Sequence, residues 1–417
     1  ISLTNNIIVQ NFTNFLRGGN AFLVLYKRIL IFFFCSIALS HGQVNLPQEN
    51  ASLLKKQHFP NTENFLTLVS DLHTHSVFSD GHVWPNIRVA EALNDGTQVL
   101  AITEHIEFQP HLKDLPHEDR NRSYEEAKLA AKEKDLIVIN GAEITRDMPT
   151  GHINAIFVED VNKLYKIDKS RKAEAEKKVK EILKEGTWKI DIDVLNKYAL
   201  TSMWPSKKSI KAANKQGAFL FWNHPMWTIQ ADDGIASLSD FHKEMIQMNL
   251  LHGIEIVNGN SYSEEAFQIA IDNDLTLIGT SDVHNLIEWD YLNSGGHRPS
   301  TIILAKNKNK NSIRNSLKSG RTIVWFKNSL IGLKKNLLPL LEASLFISQA
   351  EYLPNSNILK VKIENKCGID FKLLNKSKYS FQNKTDLTEI PAHSSTVVEI
   401  KTLKKLTSIN LDVVILN

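Results

Sequence analysis

Nine residues able to hold a cation occur along the chain in one order: His73, His75, Asp80, His105, Glu143, His152, His224, Asp282 and His284. All are imidazoles or carboxylates, a thiolate-free set that suits zinc, manganese or iron. His73 and His75 are two residues apart, as are Asp282 and His284. In an extended strand, residues i and i+2 face the same side, so each pair can share one ion. Asp80 follows in Phe78-Ser79-Asp80-Gly81, where Gly81 permits a tight turn that brings the carboxylate back. A lone His-x-His is often a plain strand pair. The ordered set of nine points instead to a multinuclear metal centre.

The elements that must position these side chains are legible around them. Leu66–Val69 precedes His73, Val99–Ile102 precedes His105, and Leu136–Ile139 precedes Glu143. Ala218–Trp222 runs into His224, and Leu275–Ile278 leads to Asp282. Ligands at successive strand ends converge if the strands are parallel and close into a barrel, whose active face is the carboxyl-terminal one. His152, at the start of a strand, has the least typical position. With His152–Val158, Gly253–Val257 and Ser300–Ala305, eight strands are predicted, alternating with helical stretches in an α/β pattern. Ser123-Tyr124-Glu125-Glu126 has capping-box spacing and predicts a helix over Glu125–Asp135.

The expected organisation is a leader over residues 1–43, a polar linker over 44–65, a barrel over 66–330 with an insertion or lid at about 160–208, and a small β-sandwich over 335–417. The sandwich rests on alternating runs at Ile358–Glu364, Ser395–Ile400 and Leu411–Leu416. In the insertion, the charge run Asp160–Glu185 reads as a solvated helix face.

Composition narrows the function classes. At 417 residues and a formal charge of +3, the chain has room for a barrel and one smaller domain. Its near-balanced charge does not indicate a general nucleic-acid or membrane-surface role. Lys27 and Arg28, the apolar run Ile29–Leu39 and the small or polar exit Ser40-His41-Gly42-Gln43 describe a secretory signal. The run is short for a bilayer span, so no stable membrane span is expected once it is removed. The expected location is periplasmic or secreted. The competing reading of this segment is a membrane-anchoring helix. Cys35 lies inside the apolar run and Cys367 is the other cysteine, so removal of the signal leaves no intrachain disulfide.

His-x-His, Ser-Asp-Gly, Thr-Glu-His, Gly-Ala-Glu, Gly-His, Asn-His-Pro and Ser-Asp-x-His in this order resemble the polymerase-and-histidinol-phosphatase (PHP) family of metallophosphoesterases. The resemblance covers about Leu66 to Phe326. It implies a distorted seven-stranded (β/α) barrel holding three divalent ions of zinc, manganese or iron. By that analogy one ion takes His73, His75, Glu143 and Asp282. A second takes Glu143 as a bridge with His152 and His224, and a third takes Asp80, His105 and His284. The export signal, the long segment before His224 and the β-rich tail depart from cytosolic histidinol phosphatase and look more like exported phosphodiesterase-type members. Three divalent ions set against three carboxylates and a hydroxide leave a mouth of about +2, suited to a phosphate ester. The nucleophile implied is a metal-bridging hydroxide held by Glu143 and Asp282, so no protein nucleophile is needed.

Substrate contacts are expected from the loop Ile106–Arg122, which follows His105 on the active face. Arg120, Arg122, His111 and His117 lie there; Arg146 and Arg298 are further candidates, since a guanidinium fork suits phosphate oxygens. Ordinary loop salt bridges are the competing reading for Arg120 and Arg122. His82, Trp84, Trp222 and Trp227 are expected near the cleft, with core or rim positions as the alternative. The function expected is phosphodiester hydrolysis of small organic esters. The alternatives are a phosphomonoesterase, an exonuclease and a non-catalytic metal-binding module. Nucleic acid is not an expected partner, and the sequence leaves the oligomeric state open.

Overall fold

The computed structural model describes residues 59–184, 190–291 and 296–417, and the backbone course of residues 2–8. The segment read as a signal, Lys27–Gln43, lies outside the described residues. Strand β1 (Ser2–Ile8) runs antiparallel to the last strand of the chain, Ser408–Ile415. The end of the expected linker is packed: Phe59 is buried edge-on to Trp325 at 5.0 Å, and Asn61 Oδ1 accepts the Thr67 amide.

The barrel strands are β2 (Leu66–Asp71), β3 (Val99–Ile102), β4 (Ile137–Ile144), β5 (Ile153–Ile156), β6 (Phe219–Trp222), β7 (Gly253–Asn258), β8 (Ser261–Tyr262), β9 (Thr276–Thr280) and β10 (Ser300–Ala305). Helices α1 (Pro85–Asp95), α2 (Arg122–Ala130), α3 (Lys172–Lys184), α4 (Ile192–Ser202), α5 (Ser206–Lys215), α6 (Asp240–Gln247), α7 (Glu264–Asp272), α8 (Ile287–Asp290) and α9 (Lys310–Lys318) connect them. Apart from the exposed two-residue β8, the strands are covered on both faces and read as nearly continuous apolar runs rather than alternating ones. Helix α2 begins at Arg122, earlier than the Ser-x-x-Glu spacing predicts. Asn121 occupies its N-cap without a side-chain cap bond, and Ser123 is buried inside the first turn.

Neighbours pair in the order β10-β2-β3-β4-β5-β6-β7, with β9 on the other side of β7. The pairings β2–β3, β3–β4, β6–β7 and β7–β9 are parallel, whereas β5 is antiparallel to both β4 and β6. The expectation of an all-parallel array is corrected here. The short turn after β4 returns directly through β5, leaving no room for a crossover helix. That reversal places His152, at the start of β5, beside the ends of the parallel strands.

Beyond their ladders, the exits of β2 and β9 close the ring. The Asp282 amide donates to His73 O at 3.0 Å and the His75 amide to Val283 O at 3.1 Å. Farther down, β10 inserts antiparallel to β2, and Thr301 Oγ1 both accepts from Gly279 N and donates to Gly279 O. The result is a distorted α/β barrel. Its carboxyl-terminal mouth is closed by strand exits, and its lower part is wedged open by one strand.

Helices α3 and α4 pack together around a small core of Ala175, Val179, Leu195 and Ala199. Ties to active-face loops hold them: Lys113 to Asp191 at 2.5 Å, Lys178 to Asp147 at 3.1 Å, and Arg146 Nη2 to Trp204 O at 3.0 Å. Strands β11 (Thr322–Phe326) and β12 (Ser329–Ile331) extend the barrel sheet past β10, and α10 (Lys334–Ser344) leads out of the barrel. Two antiparallel sheets follow. One contains β13 (Leu345–Tyr352), β14 (Ile358–Asn365) and β17 (Ser395–Lys401); the other contains β15 (Phe371–Asn375), β16 (Leu387–Ile390) and β18 (Ser408–Ile415). Every second residue of β14, β17 and β18 is buried, as a half-covered sheet requires. One apolar cluster contains Val69, Ile302 and Trp325 of the barrel together with Leu359, Val361 and Ile400 of the sandwich.

Candidate metal centre

The site is assembled where chain segments leave the barrel. Past β2, the backbone carries His73 and His75 inward, both fully buried. Past β9, it carries Asp282 and His284 to meet them. One buried guanidinium pins both exits. Arg88 of α1 donates to His75 O at 2.8 Å, Asn285 O at 2.6 Å and His284 O at 2.9 Å, and pairs with Glu91 at 2.8 Å. Gly81 is required for space rather than for an unusual dihedral, because a Cβ there would stand 2.7 Å from Ser76 N. The tight return it allows, with Gly81 N donating to Ser76 O, sets Asp80 against the two strand exits. Asp282 and His224 both occupy the left-handed region, at φ 51° and 31°. For non-glycine residues this costs about 1–3 kcal/mol each, and such strain gathers at functional sites.

The ligand atoms fall into three groups, each within 4.8 Å: His73, His75 and Asp282; His75, Asp80, His105 and His284; and His105, Glu143 and His152. In the first, His73 Nε2 and His75 Nε2 are 3.0 Å apart, and Asp282 Oδ1 lies 3.2 and 3.1 Å from them. Asp80 Oδ1 lies 3.2 Å from His284 Nε2 and 3.4 Å from His105 Nε2. Glu143 joins the groups: Oε2 lies 3.7 and 3.6 Å from His73 and His75, and Oε1 faces His152 Nδ1 at 2.8 Å. His75 and His105 each belong to two groups. His224 stands outside the tightest sets, with Nε2 3.4 Å from Glu143 Oε1 and Nδ1 against Gln230 at 2.9 Å.

Electrostatics keep the carboxylates ionised. Burial raises the Glu143 and Asp80 carboxyls, but the surrounding imidazoles outweigh it and hold both well below the usual range. Asp282 is lowered in the same way by His73, His75 and His284. Burial, with His284 and His105 alongside, pushes His75 down to about 3. His284 also suffers from burial, yet Asp80 and Asp282 lift it to about 9. Asp80 Oδ1, Glu143 Oε2 and Asp282 Oδ1 are buried without a backbone, hydroxyl or amide donor and face imidazole nitrogens, Glu143 Oε2 lying 2.6 Å from His105 Nδ1. A buried anionic oxygen without a donor costs several kcal/mol. Oxygens of this kind among imidazole nitrogens, with no thiolate, are what a group of divalent cations satisfies. The residues present fit such ions.

The Bacteroides vulgatus crystal structure of a two-domain protein containing a predicted PHP-like metal-dependent phosphoesterase is similar to this chain. The two share 33% identity over 84% of this chain and 91% of that one, at a TM-score of 0.70. This chain belongs to the PHP family of metal-dependent phosphoesterases. A second similarity is local: a 5'-3' exoribonuclease of Haemophilus influenzae is 32% identical over 120 residues, 28% of this phosphoesterase and 39% of that protein. The chain thus spans well under half the length of that relative. An Ig-like domain model, DUF5001, matches residues 345–417, the two-sheet unit after α10.

The residues expected to read the phosphate are distributed otherwise. Arg298 is fully buried below the mouth, with Nη1 3.1 Å from Asp71 and Nε 2.6 Å from Asp95. Because Asp71 also holds Ser281 N and Oγ at 3.2 and 2.5 Å, Arg298 braces the β9 exit and is no substrate contact. Arg122 pairs with Glu126 on the exposed side of α2. Arg146 is buried against Glu107 and Trp204 O. Arg120 packs over Tyr165 at 5.4 Å, beside the insertion. His117 lies edge-on to Phe78 at 4.7 Å and His111 faces His82 at 6.4 Å, both in the layer around the mouth. Trp222 is core. Trp227 is 39% exposed, edge-on to His224 at 5.1 Å and His152 at 5.5 Å.

Sequence reasoning passed over several buried polar groups that hold the centre. Glu104 binds Ser76 N at 3.0 Å and Ser79 Oγ at 2.5 Å, fixing the turn that carries Asp80. Asn223 donates to Glu143 at 2.9 Å. Glu255 sits fully buried inside β7. The available signal was a charged residue at the centre of Gly253-Ile254-Glu255-Ile256-Val257, since an ionisable group in a buried strand needs partners.

Proposed function

We propose that this phosphoesterase is an exported phosphodiesterase, acting on small organic phosphate diesters at a trinuclear centre. The observation that carries the diester reading is the engagement of Arg122, Arg146 and Arg298 with carboxylates of their own. A monoester dianion calls for cationic groups beyond the ions themselves; a diester monoanion calls for fewer. Bound divalent ions supply an activated hydroxide at neutral pH and charge for the phosphoryl oxygens. Glu143, Asp282, His73, His75 and His105 are the residues that would hold those ions. Trp227 offers an indole face beside His152 and His224, where an ester's organic group can lie against it. The basic, apolar and small-residue order of Lys27–Gln43 supports export, which fractionation of cells expressing the full chain checks.

A second reading, exonucleolytic cleavage of RNA, draws on the segment shared with the Haemophilus exoribonuclease. Hydrolysis of bis(p-nitrophenyl) phosphate, p-nitrophenyl phosphate and a 5'-phosphorylated RNA oligomer, after chelation and restoration of manganese or zinc, separates the readings. Preference for the first substrate supports the proposal. Preference for the second or third replaces it with a monoesterase or an exonuclease.

A further inference from the structure

Both oxygens of the buried Glu255 carboxylate are engaged by protein groups, and one of them is the ring of His73. Its Oε1 accepts from Thr280 Oγ1 at 2.7 Å and faces His73 Nδ1 at 2.9 Å. Its Oε2 accepts from His224 N at 2.7 Å and Asn258 Nδ2 at 2.9 Å. The four partners come from the exits of β2, β6, β7 and β9. Asn258 Nδ2 also reaches Asp282 Oδ2 at 3.2 Å. Glu255 already accepts from Thr280, His224 and Asn258, so its contact with His73 is one in which Nδ1 donates, and Nε2 is the ring nitrogen left for a cation. Nε2 is the atom that faces His75 Nε2 and Asp282 Oδ1.

We infer that Glu255 is the positioning residue of the metal centre: it fixes the His73 tautomer, and through the His224 amide it holds the strained turn that presents the His224 ring. This rests on the metal-centre reading above, and goes beyond it by assigning the ligand atom of His73 and a residue that sets it. Carboxylate partners of ligating imidazoles make the ring a stronger donor, and their loss weakens metal binding by about 10- to 100-fold. Glutamine keeps the shape but cannot satisfy the site. Placed with its oxygen toward His73, it turns an amide donor onto His224 N and Asn258 Nδ2. Placed the other way, it turns that donor onto Thr280 and His73.

The test is zinc or cobalt binding to metal-stripped full-length protein by calorimetry, with metal content after dialysis, for wild type and Glu255→Gln. A loss of about 10- to 100-fold in the tightest site, with a shifted absorption spectrum of the cobalt form, is expected. The acid limb of the diesterase pH profile should also move to lower pH, because a less basic His73 leaves the ion a stronger acid. A purely structural role leaves spectrum and profile in place. If wild type itself binds no ion, the metal-centre reading fails. If wild type binds and Glu255→Gln binds equally with an unchanged spectrum, the Glu255 assignment fails. Should Glu255→Gln not fold by circular dichroism, Thr280→Val decides: it removes one donor isosterically and should lower affinity several-fold. Unchanged affinity in Thr280→Val overturns the assignment.

Discussion

Each side chain at the mouth is defined by what already occupies its polar atoms. Asp282 Oδ1 has no backbone, hydroxyl or amide donor and sits between two imidazoles, so Asp282→Ala should lower turnover by at least 100-fold and reduce bound metal, measured by kinetics and elemental analysis on one preparation. Arg122 is engaged with Glu126 one turn along α2. Arg122→Ala should therefore leave kcat/KM unchanged and cost at most about 0.5 kcal/mol of stability in chemical denaturation. Trp227 has two imidazole neighbours and an exposed face. Trp227→Ala should raise KM about 10-fold for esters with a flat aromatic group, on about 1 kcal/mol of ring packing, and Trp227→Phe should restore most of it. Esters of glycerol should respond little to either change.

At the scale of elements, strand exits are held by buried polar braces rather than by ladders alone. The Asp71–Arg298–Asp95 group lies beneath the β9 exit. Arg298→Met leaves two buried carboxylates facing each other, and unfolding free energy should fall by about 3–5 kcal/mol in urea titration. Helix α6 is braced by another buried group. His242 stacks on Trp222 at 3.9 Å and meets Thr150 O at 2.9 Å, and burial pushes its imidazole down to about 4. The unfolded chain binds this proton near pH 6.5, so the stability is present above that value and is lost as pH falls from about 6.5 through about 4. The full loss approaches about 3 kcal/mol. Comparing wild type with His242→Gln by denaturation at pH 7 and pH 4.5 isolates the contribution, because the metal-site imidazoles cancel. A wild-type slope no steeper than that of the variant would refute it.

In the whole molecule, the barrel and the Ig-like domain share one apolar cluster. Phe59 and His297 flank Trp325 at 5.0 and 3.6 Å, and Asn417 Nδ2 bonds Asn328 O and Asp370 O across the junction at 3.0 and 2.6 Å. Ending the chain after Ile331 uncovers Val69, Ile302 and Trp325. The shortened protein should melt several degrees lower or aggregate, as differential scanning fluorimetry and light scattering would report. An independent tail would leave the melting of the barrel unaltered.

Ligand types, their order and their position after apolar runs were legible because hydrophobic periodicity and i, i+2 geometry are local properties. His73, His75, Asp282 and His284 could be paired from spacing alone, and the alternation of Ile358–Glu364 announced a half-covered sheet. The reversed direction of β5, the sharing of His75 between two groups and the engagement of Arg298 with Asp71 and Asp95 were not. Each depends on which distant segment lies alongside, and a residue 227 positions away in sequence leaves no periodic trace. Sequence determined which atoms could bind cations. Only the folded chain decided which oxygens remain without donors, because hydrogen-bond satisfaction belongs to neighbours brought together in space.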